Sequence, residues 1–267
     1  MPNVPFCRRT RRLVTCLLLL FVAALPTLAE QTSDKDMKQA NNPLASVTAF
    51  NVQNYYIPEL TGLPDESANT AWLRYVNPFG RWLFRASAPL KTVPTGGNES
   101  ESGLGDIDAF AAYITTKPTS TKMFGVGPLL VTPTASDDAL GTSKWQGGAA
   151  AVFFDFSSSI VQWGGLVTYQ KSFAGDSDAS DTSVSIIQPL LFLQLGKGTY
   201  LRSAPIWLFD LENETYNIPI GFGIGKVIKS GKTVFNVFIE PQFTILHSGV
   251  GQPELQIFTG LNMQFTK

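Results

Sequence analysis

Hydrophobic and polar residues alternate along about twelve short segments of this chain, beginning after residue 43. In the segment 235–245, most odd positions are apolar, whereas the even positions include Asn236, Glu240 and Gln242. A period of two residues is typical of a β-strand with one apolar face and one polar face. The pattern therefore predicts an all-β protein.

The alternating segments predict twelve β-strands, an even number. An even strand count lets a closed barrel keep both chain ends on the same side of a membrane. The predicted strands lie near 46–56, 69–77, 81–90, 104–115, 122–132, 144–154, 159–170, 182–194, 199–209, 215–227, 233–246 and 254–265.

The connections between the predicted strands alternate in length. Four-residue turns, such as 77–80 and 195–198, alternate with longer acidic stretches, such as 91–103 and 172–181. Strands of about ten residues with short turns at one end and long loops at the other are typical of outer-membrane barrels. We therefore predict a transmembrane antiparallel β-barrel of twelve strands, with its turns in the periplasm and its loops outside the cell.

The N-terminal residues resemble a secretory signal peptide. Four arginines between residues 8 and 12 precede the apolar stretch 13–25, and Thr27-Leu28-Ala29 forms a plausible cleavage site. We expect a signal peptide over 1–29, a periplasmic tether over 30–43 and an outer-membrane barrel over 44–267. Both cysteines, Cys7 and Cys16, lie in the predicted leader, so the exported barrel is expected to lack thiol chemistry.

Composition agrees with a barrel and indicates no nucleic-acid partner. Only 15% of the residues are charged, yet the mean hydropathy is +0.07, because in a barrel every second strand residue faces lipid. Removing the four leader arginines leaves 20 − 4 = 16 basic against 21 acidic residues, a net charge of −5. Nucleic-acid binding surfaces are basic, so we expect no nucleic acid to bind.

Prolines and tryptophans within the predicted strands refine the picture. Proline has no N–H to donate to a ladder, so some of the six prolines in the predicted strands are expected to mark bulges, strand ends or lumenal sites. They are Pro89, Pro128, Pro189, Pro205, Pro219 and Pro241.

The tryptophans in the predicted strands fit either an aromatic girdle at the membrane interface or the core of a soluble protein. They are Trp72, Trp82, Trp145, Trp163 and Trp207.

Several short Gly- and Pro-containing motifs follow one another along the chain. They lie at 103–107, 125–128, 132–142, 170–176, 187–189, 200–203 and 218–221. Together they resemble the bacterial outer-membrane transporter-like family of the MetA pathway of phenol degradation, over about residues 42–265. Relatives of that family are sometimes called neuromedin U, although nothing here resembles a peptide hormone. The resemblance implies an outer-membrane barrel that passes small solutes, among them aromatic or other apolar molecules.

The last predicted strand also points to the outer membrane. Residues 258–265 resemble the C-terminal signal that the barrel-assembly machinery reads, except for Phe258 at a usually polar position and Thr266-Lys267 after the last Phe. The expected partners are therefore the barrel-assembly machinery, outer-membrane lipid and lipopolysaccharide, and a small-molecule solute.

The sequence gives little indication of catalysis or of a cofactor. The only histidine, His247, lies at a predicted strand end, where a solvated residue is a simpler interpretation than a catalytic base. The acidic loop with Asp176, Asp178 and Asp181 is a weak Ca²⁺ candidate, and a solvated loop is the alternative. We expect no enzyme activity and no cofactor.

Charged and amide side chains on the polar strand faces predict the pore lining. These candidates are Arg74, Arg81, Arg85, Asp106, Asp108, Arg202, Glu240 and Gln242. They fit either a polarised constriction in a narrow pore or paired charges that fill the lumen. We predict a passive channel or facilitator for small solutes. The alternatives are a non-conducting structural or surface-interaction barrel and a soluble secreted all-β binding protein.

Overall fold

The computed structural model of this chain describes residues 39–97 and 99–266. The predicted signal peptide and residues 30–38 of the predicted tether lie outside the described residues. No helix in the described ranges is long and apolar enough to cross a membrane.

Within these ranges, fifteen strand segments form one antiparallel sheet. They are β1 (Thr48–Leu60), β2 (Ala68–Phe79), β3 (Trp82–Gly96), β4 (Glu99–Leu104), β5 (Ile107–Ile114), β6 (Lys122–Thr132), β7 (Lys144–Asp155), β8 (Val161–Gly175), β9 (Ser183–Gly196), β10 (Thr199–Ser203), β11 (Trp207–Asp210), β12 (Thr215–Gly221), β13 (Gly223–Ser230), β14 (Thr233–Ser248) and β15 (Pro253–Phe265). A short 3-10 helix, Asp138–Leu140, lies in the loop between β6 and β7.

The sheet closes on itself, because β15 pairs with β1 on one side and with β14 on the other. Three of the crossing strands are each built from two segments: β4 with β5, β10 with β11, and β12 with β13. The described residues therefore form a closed antiparallel barrel of twelve strands, which confirms the predicted fold class.

The two ends of the barrel differ, as the loop lengths predicted. We call the end with the connections near 80, 197 and 231 the turn end, and the opposite end the loop end. One predicted loop is wrong: residues 91–103 mostly continue as the β3–β4 hairpin, in which Thr92 pairs with Ser102. Their hydroxyl oxygens lie 2.9 Å apart. Cross-strand hydrogen bonds between serine and threonine side chains stabilise paired strands. A polar stretch whose sequence suggests a loop can therefore form a hairpin.

Alternate residues of the strands face outwards and are apolar. Along β14, Ile239 and Phe243 are 46% and 48% exposed, whereas Glu240 and Gln242 are fully buried. This confirms the face assignment for that strand. Soluble proteins rarely expose apolar patches of this extent, and lipid is the solvent that suits them.

Three tryptophans lie on this outer surface. Trp82, Trp145 and Trp163 are at least 40% exposed, as a girdle requires. Trp72 is different, since it pairs with Gln53 in the register and packs against an aromatic cluster inside the barrel. The girdle interpretation is wrong for Trp72.

Candidate functional site

The lumen at the turn end is filled by the chain itself. Residues 39–45, here called the N-terminal plug, enter the barrel before β1, and Leu44 is fully buried. The Asn236 side chain donates from Nδ2 to the Ala40 carbonyl at 3.1 Å and to Asn41 Oδ1 at 3.0 Å. Gln264 Nε2 donates to the carbonyl of Gln39 at 3.2 Å. The described part of the predicted tether is thus packed inside the barrel.

Apolar side chains surround the plug. Leu44 belongs to a buried cluster with Leu83, Phe110 and Leu129, and Ala40 belongs to a second cluster that includes Phe154, Phe192 and Tyr200. Strands with one polar face would suit a hydrated lumen. The turn end of the lumen is instead filled with buried apolar side chains, as in the core of a soluble protein.

A cavity of about 160 Å³ lies inside the barrel and is partly lined by the plug. Its wall combines three arginines with four aromatic rings: Arg74, Arg85, Arg202, Phe110, Phe192, Phe238 and Phe258. An apolar cavity of about 150 Å³ in a soluble protein binds benzene. The space therefore suits one aromatic ring.

The three arginines lie over aromatic faces. The guanidinium carbon of Arg85 is 4.3 Å from the ring centre of Phe110, and that of Arg202 is 3.5 Å from the ring centre of Phe238. Arg74 lies over Trp72 at 4.7 Å and donates to Gln53. Cation–π contacts stabilise a guanidinium in a partly apolar place.

Two N–H groups of this cluster remain free. Among the described residues, the buried Nε atoms of Arg74 and Arg85 have no hydrogen-bond partner. A buried donor without a partner costs free energy, roughly 1–3 kcal/mol or more for a charged group. Arg74 and Arg85 thus keep hydrogen-bonding capacity that no described residue uses, and both residues line the cavity.

The Nε of Arg202 is paired, unlike the Nε atoms of Arg74 and Arg85. Its Nε donates to Glu240 Oε2 at 2.6 Å, and both side chains are buried. The other oxygen, Glu240 Oε1, accepts hydrogen bonds from the Ala204 backbone N–H at 2.8 Å and from Gln242 Nε2 at 2.9 Å. Gln256 Nε2 continues the chain to Gln242 Oε1 at 3.0 Å. Glu240 thus binds three neighbours directly, and Gln256 joins the network through Gln242.

The remaining predicted pore residues lie elsewhere. Arg81 is at the turn end and donates to the carbonyls of Ile114 and Thr115. Asp108 lies opposite the buried Ser87 in the register of β3 and β5. The structure thus places Arg74, Arg85 and Arg202 around the cavity and Arg81 away from it.

Asp106 fastens the loop that carries the 3-10 helix. Its carboxylate accepts from the backbone N–H groups of Thr134, Ala135 and Thr142 at 2.8 to 3.1 Å, and from the Thr142 hydroxyl at 2.9 Å. A carboxylate that accepts four hydrogen bonds is a loop anchor. The sequence placed Asp106 on a polar strand face but gave no sign of this contact.

The acidic loop does not gather its carboxylates. Asp176 accepts from the Asp178 backbone N–H, whereas Asp181 accepts from Ser172 Oγ at 3.0 Å and lies 3.5 Å from Lys144 Nζ. These contacts, first the Ser172 hydrogen bond and then Lys144, lower the pKa of Asp181. No group of three or more metal-binding side chains is positioned to hold an ion in the described ranges.

The histidine lies at the loop end. His247 pairs with Asn217 in the register and lines a surface pocket together with Glu59 and Glu254. The described lining of that pocket contains no serine or cysteine nucleophile.

No protein-family model and no curated protein sequence matches this chain. Solved structures do resemble it. The COG4313 outer membrane channel from Pseudomonas putida F1 matches with a TM-score of 0.64 and 12% identity, over 84% of this chain and 98% of that one. The NanC porin matches with a TM-score of 0.54 and 10% identity, over 82% of this chain and all of the porin. At such identities the likeness shows a shared fold, the closed barrel of outer-membrane channels and porins.

Proposed function

We propose that this protein is an outer-membrane channel or facilitator for small aromatic solutes that carry an oxygen substituent. The observation behind the proposal is the lumenal cavity, which has room for one ring and sets aromatic faces beside two free guanidinium N–H groups. The rings would contact the apolar part of the solute, and Arg74 or Arg85 would donate to its oxygen.

The outer-membrane location rests on the outer surface of the barrel. Exposed aliphatic and aromatic residues cover the strands on all sides, and a soluble secreted binding protein would have no use for them. The resemblance of the chain to the MetA-pathway family supports the same location and the same solute class. Membrane fractionation of producing cells tests the location directly, and recovery in the soluble periplasmic fraction would contradict it.

A second candidate function is a non-conducting structural barrel. The N-terminal plug and the two apolar clusters favour it, because together they fill the turn end of the lumen. Reconstitution in planar bilayers separates the two candidates, since a channel conducts and a filled barrel stays silent.

Solute uptake by intact cells tests the proposed substrate class. Cells that produce the protein should take up radiolabelled p-cresol several times faster than cells that lack it, and sucrose uptake should not change. Equal p-cresol uptake in both strains would contradict the proposal and favour the structural barrel.

Charge reversal at the cavity gives a finer test. Arg85→Glu should shift the ion selectivity of the reconstituted protein towards cations, because the ion then meets a negative charge where a positive one stood. Arg81→Glu is the matched control. This substitution reverses the same charge in the same region of the chain, but Arg81 lies outside the cavity. Identical reversal potentials for the two variants would show that Arg85 does not line the conducting path.

A further inference from the structure

Four buried hydrogen-bond donors beside the cavity have no partner among the described residues. They are the Nε atoms of Arg74 and Arg85 and the hydroxyl groups of Tyr55 and Ser87. Tyr55 lies on β1, Arg74 on β2, and Arg85 and Ser87 on β3, which are neighbouring strands of the barrel. A guanidinium nitrogen can only donate, and a hydroxyl group can donate its single proton. One side of the lumen thus presents a group of donors that no described residue uses.

The register of the strands places these donors close together. Ser87 is paired with Arg74 across β2 and β3, and Arg85 precedes Ser87 by two residues on the same lumenal face. Ser87 is 1% exposed and Tyr55 is 6% exposed. The Tyr55 ring stacks on the ring of Phe258, which lines the cavity, with 4.1 Å between the ring centres. A buried donor without an acceptor costs free energy, so this side of the lumen favours a ligand that brings acceptors.

The other strands around the cavity carry a different chemistry. Arg202 is the third guanidinium of the wall, and its Nε lies 2.6 Å from Glu240 Oε2. Its charge is therefore already compensated within the protein. The rings of Phe192, Phe238 and Phe258 line the cavity on β9, β14 and β15. The cavity thus has free donors on one side, and rings with a neutralised ion pair on the other.

The charges next to the free donors do not balance. Asp108 interacts electrostatically with both Arg74 and Arg85. Neither arginine forms a salt bridge, since the ion pairs of the described residues involve other cations. Two guanidinium groups against one carboxylate leave 2 − 1 = 1 positive charge in this part of the wall. A buried charge is costly unless a counter-charge pairs with it, so a ligand with one negative charge fits the site.

A carboxylate matches both the donors and the charge. Its two oxygens only accept hydrogen bonds, and its bonds to guanidinium groups are charge-assisted and strong. A neutral phenol offers one oxygen and no charge. The cavity of about 160 Å³ limits the remainder of the ligand to one ring. The site therefore favours a small aromatic acid over a neutral aromatic molecule of the same size.

We propose that the cavity contains a binding site for aromatic carboxylates such as benzoate. The carboxylate accepts hydrogen bonds from the Arg74 and Arg85 guanidinium groups and from the Ser87 hydroxyl group, and the ring lies among the phenylalanine rings of the wall. This inference rests on the proposed function and narrows its solute class, from aromatic molecules with an oxygen substituent to those with a carboxylate.

Direct binding to the purified full-length barrel in detergent micelles tests the site. Isothermal titration calorimetry at pH 7, where a carboxylic acid is ionised, compares benzoate with benzyl alcohol and acetate. Benzyl alcohol has the ring and an oxygen but no charge, and acetate has the charge but no ring. Benzoate should bind about tenfold or more tighter than either, the ratio expected for one charge-assisted hydrogen bond. Equal affinity for benzoate and benzyl alcohol, or for benzoate and acetate, would overturn the proposal.

Variants locate the binding within the cavity. Arg85→Gln should lower the affinity for benzoate about tenfold or more and change that for benzyl alcohol by less than about twofold. Arg81→Gln is the matched control and should change neither affinity, because Arg81 lies outside the cavity. Ser87→Ala deletes a single oxygen atom and should lower benzoate affinity about threefold, which keeps the test available if Arg85→Gln does not fold. Unchanged benzoate affinity in the folded variants would show that benzoate binds elsewhere.

The uptake of p-cresol separates failure of this site from failure of the proposed function. Cells that take up p-cresol through a barrel with no preference for benzoate over benzyl alcohol would contradict the carboxylate site and leave the proposed function intact. Tight, Arg85-dependent binding of benzoate by a barrel that takes up neither solute would support the site and contradict the channel.

Discussion

The two ends of the lumen are built from different chemistry. At the turn end, Phe154, Val234 and the plug residue Leu44 are almost completely buried. At the loop end, side-chain amides bond to other amides and to hydroxyls. Gln170 Nε2 donates to Gln146 Oε1 at 2.9 Å, and Asn217 Nδ2 donates to Thr244 Oγ1 at 2.9 Å. The comparison teaches that one barrel can carry a core like that of a soluble protein at one end and a polar network at the other.

The Arg202–Glu240 pair lies between the aromatic cluster and this amide network, so its removal is expected to have the largest effect on stability. Glu240→Leu should lower the free energy of unfolding by about 3–5 kcal/mol, because it leaves a buried guanidinium without its counter-charge. Refolding into lipid vesicles across a urea series measures the change. The double variant Arg202→Met with Glu240→Leu should recover most of the loss, and no recovery would mean that the Ala204 contact matters more than the ion pair.

The plug tests the apolar end next. Leu44→Ala should lower the free energy of unfolding by about 2–3 kcal/mol, since it deletes buried methyl groups and leaves a cavity. The same variant should raise the conductance in planar bilayers by loosening the plug. Leu211→Ala, at an exposed loop position, is the control. A Leu44 variant as stable as the parent would show that the plug is not docked.

Substitutions in the amide network at the loop end should lower the free energy of unfolding less than Leu44→Ala does. Gln256→Ala removes the donor to Gln242 and should cost about 1 kcal/mol, the lower end of the cost of leaving one buried acceptor without its hydrogen bond. A double-mutant cycle with Gln242→Ala isolates the coupling between the two amides. A cost as large as that of Leu44→Ala would abolish the distinction between the two ends.

The smallest effect is expected beyond the network, in the acidic loop. Because its contacts lower the pKa of Asp181 below the ordinary 3.8, the ion pair with Lys144 stabilises the loop above that pH. The contribution is lost as the pH falls through the lowered pKa. Asp181→Asn should therefore leave stability at pH 7 almost unchanged, since the Asp181 carboxylate is exposed and screened by solvent. A clear loss at neutral pH in the same urea series would contradict this.

Much of the wall could be predicted from the sequence. The predicted strand 122–132 coincides with β6, and 144–154 differs from β7 by one residue. Alternation carries this information, because each strand has one face in lipid and the other in the lumen. The prediction that some strand prolines mark strand ends is confirmed for Pro205, which lies in the break between β10 and β11.

The contents of the lumen could not be predicted in the same way. The alternation placed Arg202 and Glu240 on inward faces. Their contact could not be predicted, because the two residues are 38 positions apart and meet only through the register of the strands between them. The plug was missed because residues 39–45 show no alternation, and their partners lie in β14 and β15. Large aromatic side chains at otherwise polar positions, such as Phe238 and Phe258, were visible signs of an aromatic interior.

The plug also sets an order of events during assembly. Its hydrogen bonds join Asn41 to Asn236 and Gln39 to Gln264, which are separated by 195 and 225 residues. Contacts between such distant residues form late, since most of the chain must first be arranged. The plug, which precedes β1, can therefore dock only after the β14–β15 hairpin has formed. Docking of the plug is expected to follow closure of the barrel.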